Sequence, residues 1–199
     1  MGNQSGDNTS VTHAPNELEG LLNSAIAGDE KAFTLIWQNL NPRLSKYVAS
    51  QSYGANVDSE GITSETWISV AKDISKFKGD FNQFKGWIYK IARNRIVDAI
   101  RKQNRQVKSG GEISEFDFED TKSKVDSLIE LDESVKEIVT AINKLPKAQA
   151  EVIMLRIVAD LEVADVSKIL DKSENTIRVL SHRGLETLRS QLRREDLER

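Results

Sequence analysis

Phe84-Lys85-Gly86-Trp87-Ile88-Tyr89-Lys90-Ile91-Ala92-Arg93-Asn94-Arg95-Ile96-Val97-Asp98-Ala99-Ile100-Arg101-Lys102 is the stretch whose reading decides the fold of this chain. Phe84, Trp87, Ile88, Ile91, Ala92, Ile96 and Ile100 recur at intervals of three and four, the period of one helical face. Lys90, Arg93, Asn94, Arg101 and Lys102 fall on the other faces. The pattern predicts a long helix with one side buried and another strongly basic.

Upstream of it, Lys76-Phe77-Lys78-Gly79-Asp80-Phe81-Asn82-Gln83 interleaves aromatics with cations in a loop. That combination suits single-stranded nucleic acid, because cations neutralise phosphates while aromatic rings accept unstacked bases. Phe84 and Trp87 fit a core better than a stacking role, whereas Phe77 and Phe81 fit either. Further back, a helix from about Asp58 to Ile74 carries Thr63, Trp67, Val70 and Ile74 on one face, with Glu60, Ser64 and Ser69 away from it. Leu18, Leu21, Leu22 and Ile26 predict a first helix, which Gly28 stops. Asp29 then caps a second helix bearing Phe33, Ile36, Trp37 and Leu40. Pro42 suits the first turn of a third, which buries Leu44, Tyr47 and Val48 and ends near Gly54.

Downstream, Gln106 to Asp126 holds Gly110-Gly111, frequent acids and no apolar period, and reads as a flexible linker. Beyond it, Val135, Ile138, Val139, Ile142 and Leu145 predict a helix closed by Pro146. A second helix, Lys147 to about Ala159, buries Val152, Ile153 and Ile157. Two more come after it, Val163 to Leu170 and Glu174 to Leu192, parted by Asp171, Lys172 and Ser173. Helix, three-residue turn and longer helix is the helix-turn-helix pattern. In its second helix Ile177, Leu180, Leu185, Leu188 and Leu192 point inward, while Glu174, Asn175, Arg178 and His182 share the outer face behind a Ser173 cap. Side chains in the first turns of such a helix reach deepest into a major groove, where Arg suits guanine and Asn adenine. Asn175, Thr176 and Arg178 are the base-reading candidates, Glu174 is a further one, and Ser181 and Arg183 suit phosphates. An ordinary helical hairpin with a solvated face has the same pattern.

The net charge of -3 conceals a strong asymmetry. Residues 76–108 carry about +8 and residues 112–137 about -7. The basic block points to nucleic acid despite the acidic total. Cysteine is absent and histidine occurs only at His13 and His182, which excludes thiol chemistry, disulfides and Cys/His metal sites; no metal or cofactor is expected. There is no P-loop and no Gly-x-Ser-x-Gly, so an enzyme is not expected. Residues 1–16 lack the basic and apolar regions of a signal peptide, and no window is long and apolar enough to span a membrane, so a cytoplasmic protein with a disordered N-terminal tail is expected. The expected class is all-α, in two small helical domains: 1–16 tail, 17–105 first domain, 106–130 acidic linker, 131–194 second domain.

Phe84 to Lys102 resembles region two of the extracytoplasmic-function sigma factors, whose pattern F-x-x-W-L-Y-x-I-A-R-N-x-x-x-D-x-x-R it follows closely. Leu145-Pro146 to Leu188, with Thr176-Ile177-Arg178-Val179-Leu180-Ser181-His182-Arg183-Gly184-Leu185, is similar to their region four. The resemblance implies a non-catalytic subunit that directs RNA polymerase to promoters, opening the minus-ten element with region two and reading the minus-thirty-five element with region four. By position it implies minus-ten contacts from Lys76, Phe77, Lys78, Phe81, Lys90, Arg93, Asn94, Arg95, Arg101, Lys102 and Arg105, with the 76–81 loop and Asn94 forming a base-capture site. It implies minus-thirty-five contacts from Ser173, Glu174, Asn175, Thr176, Arg178, Ser181, His182 and Arg183. Asp58, Glu60, Glu65 and Trp67 would meet the clamp helices of the polymerase's largest subunit. The family's D-x-E-D-L-x-Q-E-x-F pattern there is broken at Gly61 and Ser64, and Asp171 stands where a turn glycine is usual. The resemblance also implies the polymerase flap and an anti-sigma factor as partners. The competing expectation is a helix-turn-helix regulator that binds duplex DNA without joining a polymerase; it leaves the Phe77 to Arg105 motif unexplained.

Overall fold

The computed structural model describes residues 15–55, 57–109 and 140–197, and every regular element among them is helical. Helix α1 (Pro15–Ile26) ends at Ala27-Gly28, where Gly28 takes a φ of 100° that a side chain would resist. Asp29 then caps α2 (Glu30–Ser52), its carboxylate accepting from the Lys31 and Ala32 N–H groups at 2.9 and 3.2 Å.

The break expected at Pro42 does not occur: α2 runs through it. A proline inside a helix leaves the carbonyl four residues back unbonded. Here Gln38 and Pro42 both lie on the exposed face, so the carbonyl that loses its partner is not buried, while Ile36, Leu40, Leu44, Tyr47 and Val48 continue one buried stripe past it. Burial on the inner face outweighs the lost bond on the outer one.

Helix α3 (Ser59–Asp73) is capped by Asp58, which accepts from the Gly61 N–H at 2.8 Å, and it tightens into a 3-10 turn at Ile74–Lys76. Helix α4 (Phe81–Ser109) is longer than its apolar stripe, so Gln106 to Ser109, expected in the linker, are helical. Its start is held doubly. Asp80 and Gln83 bond reciprocally in a capping box, and Glu19 of α1 accepts from the Phe81 N–H at 2.9 Å. These four helices enclose Leu22, Ile36, Leu44, Tyr47, Val70, Phe84, Ile88 and Tyr89. The rest of the expected linker, and Val135 to Val139, lie outside the described residues.

In the C-terminal unit, residues 140–143 are helical and seat Ile142 and, just beyond, Leu145 in the core. Helix α5 (Lys147–Ile153) then widens into a π turn, Met154–Val158, closed by the Ala159 N–H donating to the Met154 carbonyl at 2.9 Å. The extra residue in that turn rotates the chain beyond it. Met154 and Leu155 are buried completely and Ile157, expected inside, is 58% exposed. Helix α6 (Val163–Leu170) ends on Asp171 in the left-handed conformation, which Asp tolerates better than most residues. Helix α7 (Glu174–Leu197) packs on α5 so closely that a Cβ at Gly184 would lie 2.8 Å from Ile153 Cγ1.

Candidate nucleic-acid interface

The α6–turn–α7 segment turns most of its expected reading face outward. Ser173 Oγ accepts from the Thr176 N–H at 3.2 Å, so α7 begins where the spacing predicts. Ile177 is fully buried and Leu180, Leu185 and Leu188 pack behind it, which turns Glu174, Asn175, Thr176, Arg178, His182 and Arg183 to the outside. Arg178 is held by Glu174 at 2.6 Å, and His182 Nδ1 lies 3.4 Å from Glu186. Ser181 is half-buried and its hydroxyl has no partner among the described residues, so it sits apart from the outer group. Val179, 40% exposed between Arg178 and the His182 turn, escapes a search for polar contacts because it is apolar. On a groove-facing surface its methyl groups are what a thymine methyl would meet.

On α4 the basic side is likewise open: Lys90, Asn94, Arg101, Lys102 and Arg105 are exposed. Arg101 lies 3.8 Å from Asp98. Arg95 is paired with Glu65 and donates to Ser69 Oγ at 2.6 Å, bridging α4 to α3 across a cleft of about 440 Å³ that Asp58, Gly61, Asp98 and Lys102 also line. Arg93 differs from its neighbours, since its Nε donates at 2.8 Å to Glu151 in the C-terminal unit.

The loop ahead of α4 divides by residue type. Lys76 and Lys78 are exposed, and Lys76 is bonded to Asp73 at 2.7 Å, which raises its pKa. The aromatics serve the core. Phe81 is only 8% exposed, and half-buried Phe77 packs edge-on against Phe84 and in parallel with Trp87, at centroid distances of 5.2 and 5.3 Å. Neither ring lies open as a stacking platform, because the short loop must close a large aromatic cluster. Alternation of Phe and Lys therefore reflects inside and outside here.

Helix α3 sets Asp58, Glu60, Ser64 and Glu65 outward. Trp67, expected at a docking surface, is 6% exposed; its Nε1 donates to Asn41 at 2.9 Å and its ring meets Phe33 edge-on. The apolar side chain that α3 does present is Ile68, 59% exposed one residue along. Gly61 also has a structural reason, since a Cβ there would lie 2.4 Å from the capping carboxylate of Asp58.

Both halves of this surface match family models, Sigma-70 region 2 over residues 38–106 and Sigma-70 region 4 over residues 136–188. The chain belongs to the extracytoplasmic-function (ECF) sigma factors of the sigma-70 family. It is 27% identical to the ECF RNA polymerase sigma factor BldN of Streptomyces coelicolor over 84% of its own length and 63% of that protein. It is 28% identical to SigX and 29% identical to SigW, both ECF RNA polymerase sigma factors of Bacillus subtilis, covering 84% and 83% of this chain and 88% and 91% of theirs. Among solved structures, this sigma factor shares the fold of the sigma factor RpoE in its co-crystal with the anti-sigma factor NepR from Bartonella quintana. That match has a TM-score of 0.60 and 20% identity, over 82% of this chain and 98% of that one. CnrH, in complex with the cytosolic domain of CnrY, gives a TM-score of 0.58 at 15% identity, over 87% and 96%. The two models fall on the two helical units found here, and the exposed faces of α4 and α7 lie within them.

Proposed function

We propose that this sigma factor docks on core RNA polymerase through the outer face of α3, opens the minus-ten element along α4 and reads the minus-thirty-five element with the first turns of α7. The proposed functional modules are residues 17–105 and 131–194. The observation that carries the reading is the pairing, in one chain, of an exposed basic helix face on α4 with an exposed polar recognition face at the capped start of α7. Lys90, Arg101, Lys102 and Arg105 meet phosphates of the opened strand, and Asn94 is the base-contacting amide among them. Lys76 and Lys78 add charge at the loop. Holding an unstacked base costs a few kcal/mol, which several charge-assisted phosphate contacts offset.

On α7, Arg178, Asn175 and Thr176 read base edges, Glu174 and His182 flank them, and Ser173 and Arg183 approach phosphates. On α3, Glu60, Glu65 and Ile68 form the docking face, with Asp58 acting mainly as the helix cap. An anti-sigma factor is a proposed partner, in line with the complex that its structural neighbour RpoE forms with the anti-sigma factor NepR. Run-off transcription with purified core polymerase on a genomic fragment library tests the reading. Discrete start sites, lost on Asn94→Ala at the melting step and on Arg178→Ala at duplex binding, are expected. Duplex binding without any core binding would instead leave a free-standing helix-turn-helix regulator.

A further inference from the structure

His182 stands in the middle of the face that α7 turns outward, with a carboxylate beside it. Each residue of a helix is rotated by about 100° from the last. Asn175, Arg178, Val179 and His182 therefore share one side of α7, opposite Ile177, Gly184 and Leu188, and all four are exposed. Their spacing of i, i+3, i+4 and i+7 is the one by which a recognition helix lays successive side chains along a major groove. Glu186 continues the same face one turn later. His182 Nδ1 lies 3.4 Å from Glu186 Oε2, and the two side chains are 73% and 63% exposed.

The other charges around His182 are placed or engaged elsewhere. Arg178, one turn earlier, is held by Glu174 at 2.6 Å, while Arg183 and Arg189 are exposed to either side. Helix α5 meets α7 on the far side, where Gly184 approaches Ile153 and Gln149; its Glu151 is bonded to Arg93, and Arg156 of the π turn donates to the Leu161 carbonyl. On α6, Asp165 and Lys168 are 3.5 Å apart. Asp171 and Lys172 precede the start of α7, which is about 12 Å along the axis from His182. Glu186 is thus the charge that His182 faces among the described residues.

This pair has two states of unequal use on DNA. With a neutral imidazole, Glu186 is an uncompensated carboxylate turned toward a duplex that carries about one negative charge per 1.7 Å. A neutral ring also has a single N–H, so it cannot donate to Glu186 and to DNA together. The imidazolium has two. We infer that His182 is a proton-linked reading residue of α7: the helix takes up one proton on entering the groove, Nδ1–H closes on Glu186, and Nε2–H donates to guanine N7 or a phosphate oxygen. The inference rests on the minus-thirty-five reading proposed above and adds the protonation state in which that face works.

Histidine changes charge between about pH 5 and 8 and is protonated at the lower end. Affinity for the duplex should therefore rise as pH falls through that range, with a ceiling of about tenfold per pH unit for one proton. The test is fluorescence anisotropy of the polymerase-bound sigma factor on a duplex from a start site found by run-off transcription, between pH 8 and 6 at constant ionic strength. Wild type should tighten about five- to tenfold, the share of one charge-assisted contact. His182→Gln should be flat to within about twofold, and Glu186→Gln should bind more tightly than wild type at pH 8 with a shallower pH dependence. Both side chains are exposed, so neither substitution disturbs the core. With the pH dependence present, replacing each guanine in turn by 7-deazaguanine tells the two acceptors apart: loss at one position identifies N7, and no loss identifies phosphate. A flat wild-type profile, or the same slope in His182→Gln, overturns the inference. Absence of duplex binding by the wild type at every pH would instead count against the reading function of α7 itself.

Discussion

Replacing Arg178 with alanine is the sharpest probe of how α7 meets DNA, because the structure fixes what Arg178 gives up on binding. Its guanidinium is held by Glu174 four residues earlier at 2.6 Å, with side chains 59% and 46% exposed. An exposed pair of this spacing is worth about 0.3–0.5 kcal/mol. A bidentate contact with guanine discriminates by about 1–3 kcal/mol. Base contact therefore wins over the internal pair, and Arg178→Ala should weaken binding about 5- to 150-fold at one base pair while leaving other positions nearly additive. Glu174→Ala, by contrast, frees the arginine and should strengthen binding no more than about twofold. Fluorescence anisotropy of the polymerase-bound sigma factor on duplexes varied one base pair at a time, at several salt concentrations, separates the possibilities. Uniform weakening across all duplexes, with the salt slope reduced by about one, would mean that Arg178 meets a phosphate. No change on any duplex would refute the placement of α7 in the groove.

Val179→Ala should cost about 1 kcal/mol on a duplex with thymine at the contacted position, and nothing once that thymine is replaced by deoxyuridine; equal losses on both would exclude a methyl contact. Ile68→Ala should weaken core polymerase binding about tenfold in a pull-down titration while shifting thermal stability by less than about 0.5 kcal/mol, since the side chain is 59% exposed. Burial holds the Tyr47 and Tyr89 phenols above their ordinary range, with Glu151 adding to the Tyr47 shift. The phenols' contribution to stability is therefore fully present below about pH 10 and is lost as pH climbs past it, by up to about 1.4 kcal/mol per pH unit for each phenol. Thermal melts should show Tyr47→Phe flattening that loss and, because it deletes an unpartnered hydroxyl, matching or exceeding the wild-type midpoint at neutral pH.

Helix positions and the helix-turn-helix are legible in the sequence because apolar spacing is read directly as burial. Ile36, Leu44, Val70, Ile88 and Ile177 are buried where their spacing puts them. Sequence and structure part where backbone geometry departs from a uniform 3.6-residue period. Pro42 reads as a helix start because local propensity knows nothing of the stripe that carries α2 past it. Ile157 reads as a core residue because a π turn leaves no compositional mark. In the site, charge is legible but ring exposure is not: Phe77, Phe81 and Trp67 have the residue types of a binding surface and spend them on packing. Glu151 cannot be found by pattern at all, since its partner Arg93 is 58 residues away in sequence and joins it only through the fold.

The π turn at Met154–Val158 sets the phase of everything after it. One residue of helix corresponds to about 100° of rotation. With the turn tightened to a regular helix, Asp160 and α6 would leave α5 on a different bearing, and neither Lys85 nor Gly86 of α4 would face its present neighbour, the Asp160 carbonyl and Asp165 respectively. The angle at which the C-terminal unit meets α4 is thus written in the chain as a count, one residue more than a regular helix needs. A single-codon deletion there would retune the meeting of the two units without altering any residue in either binding face.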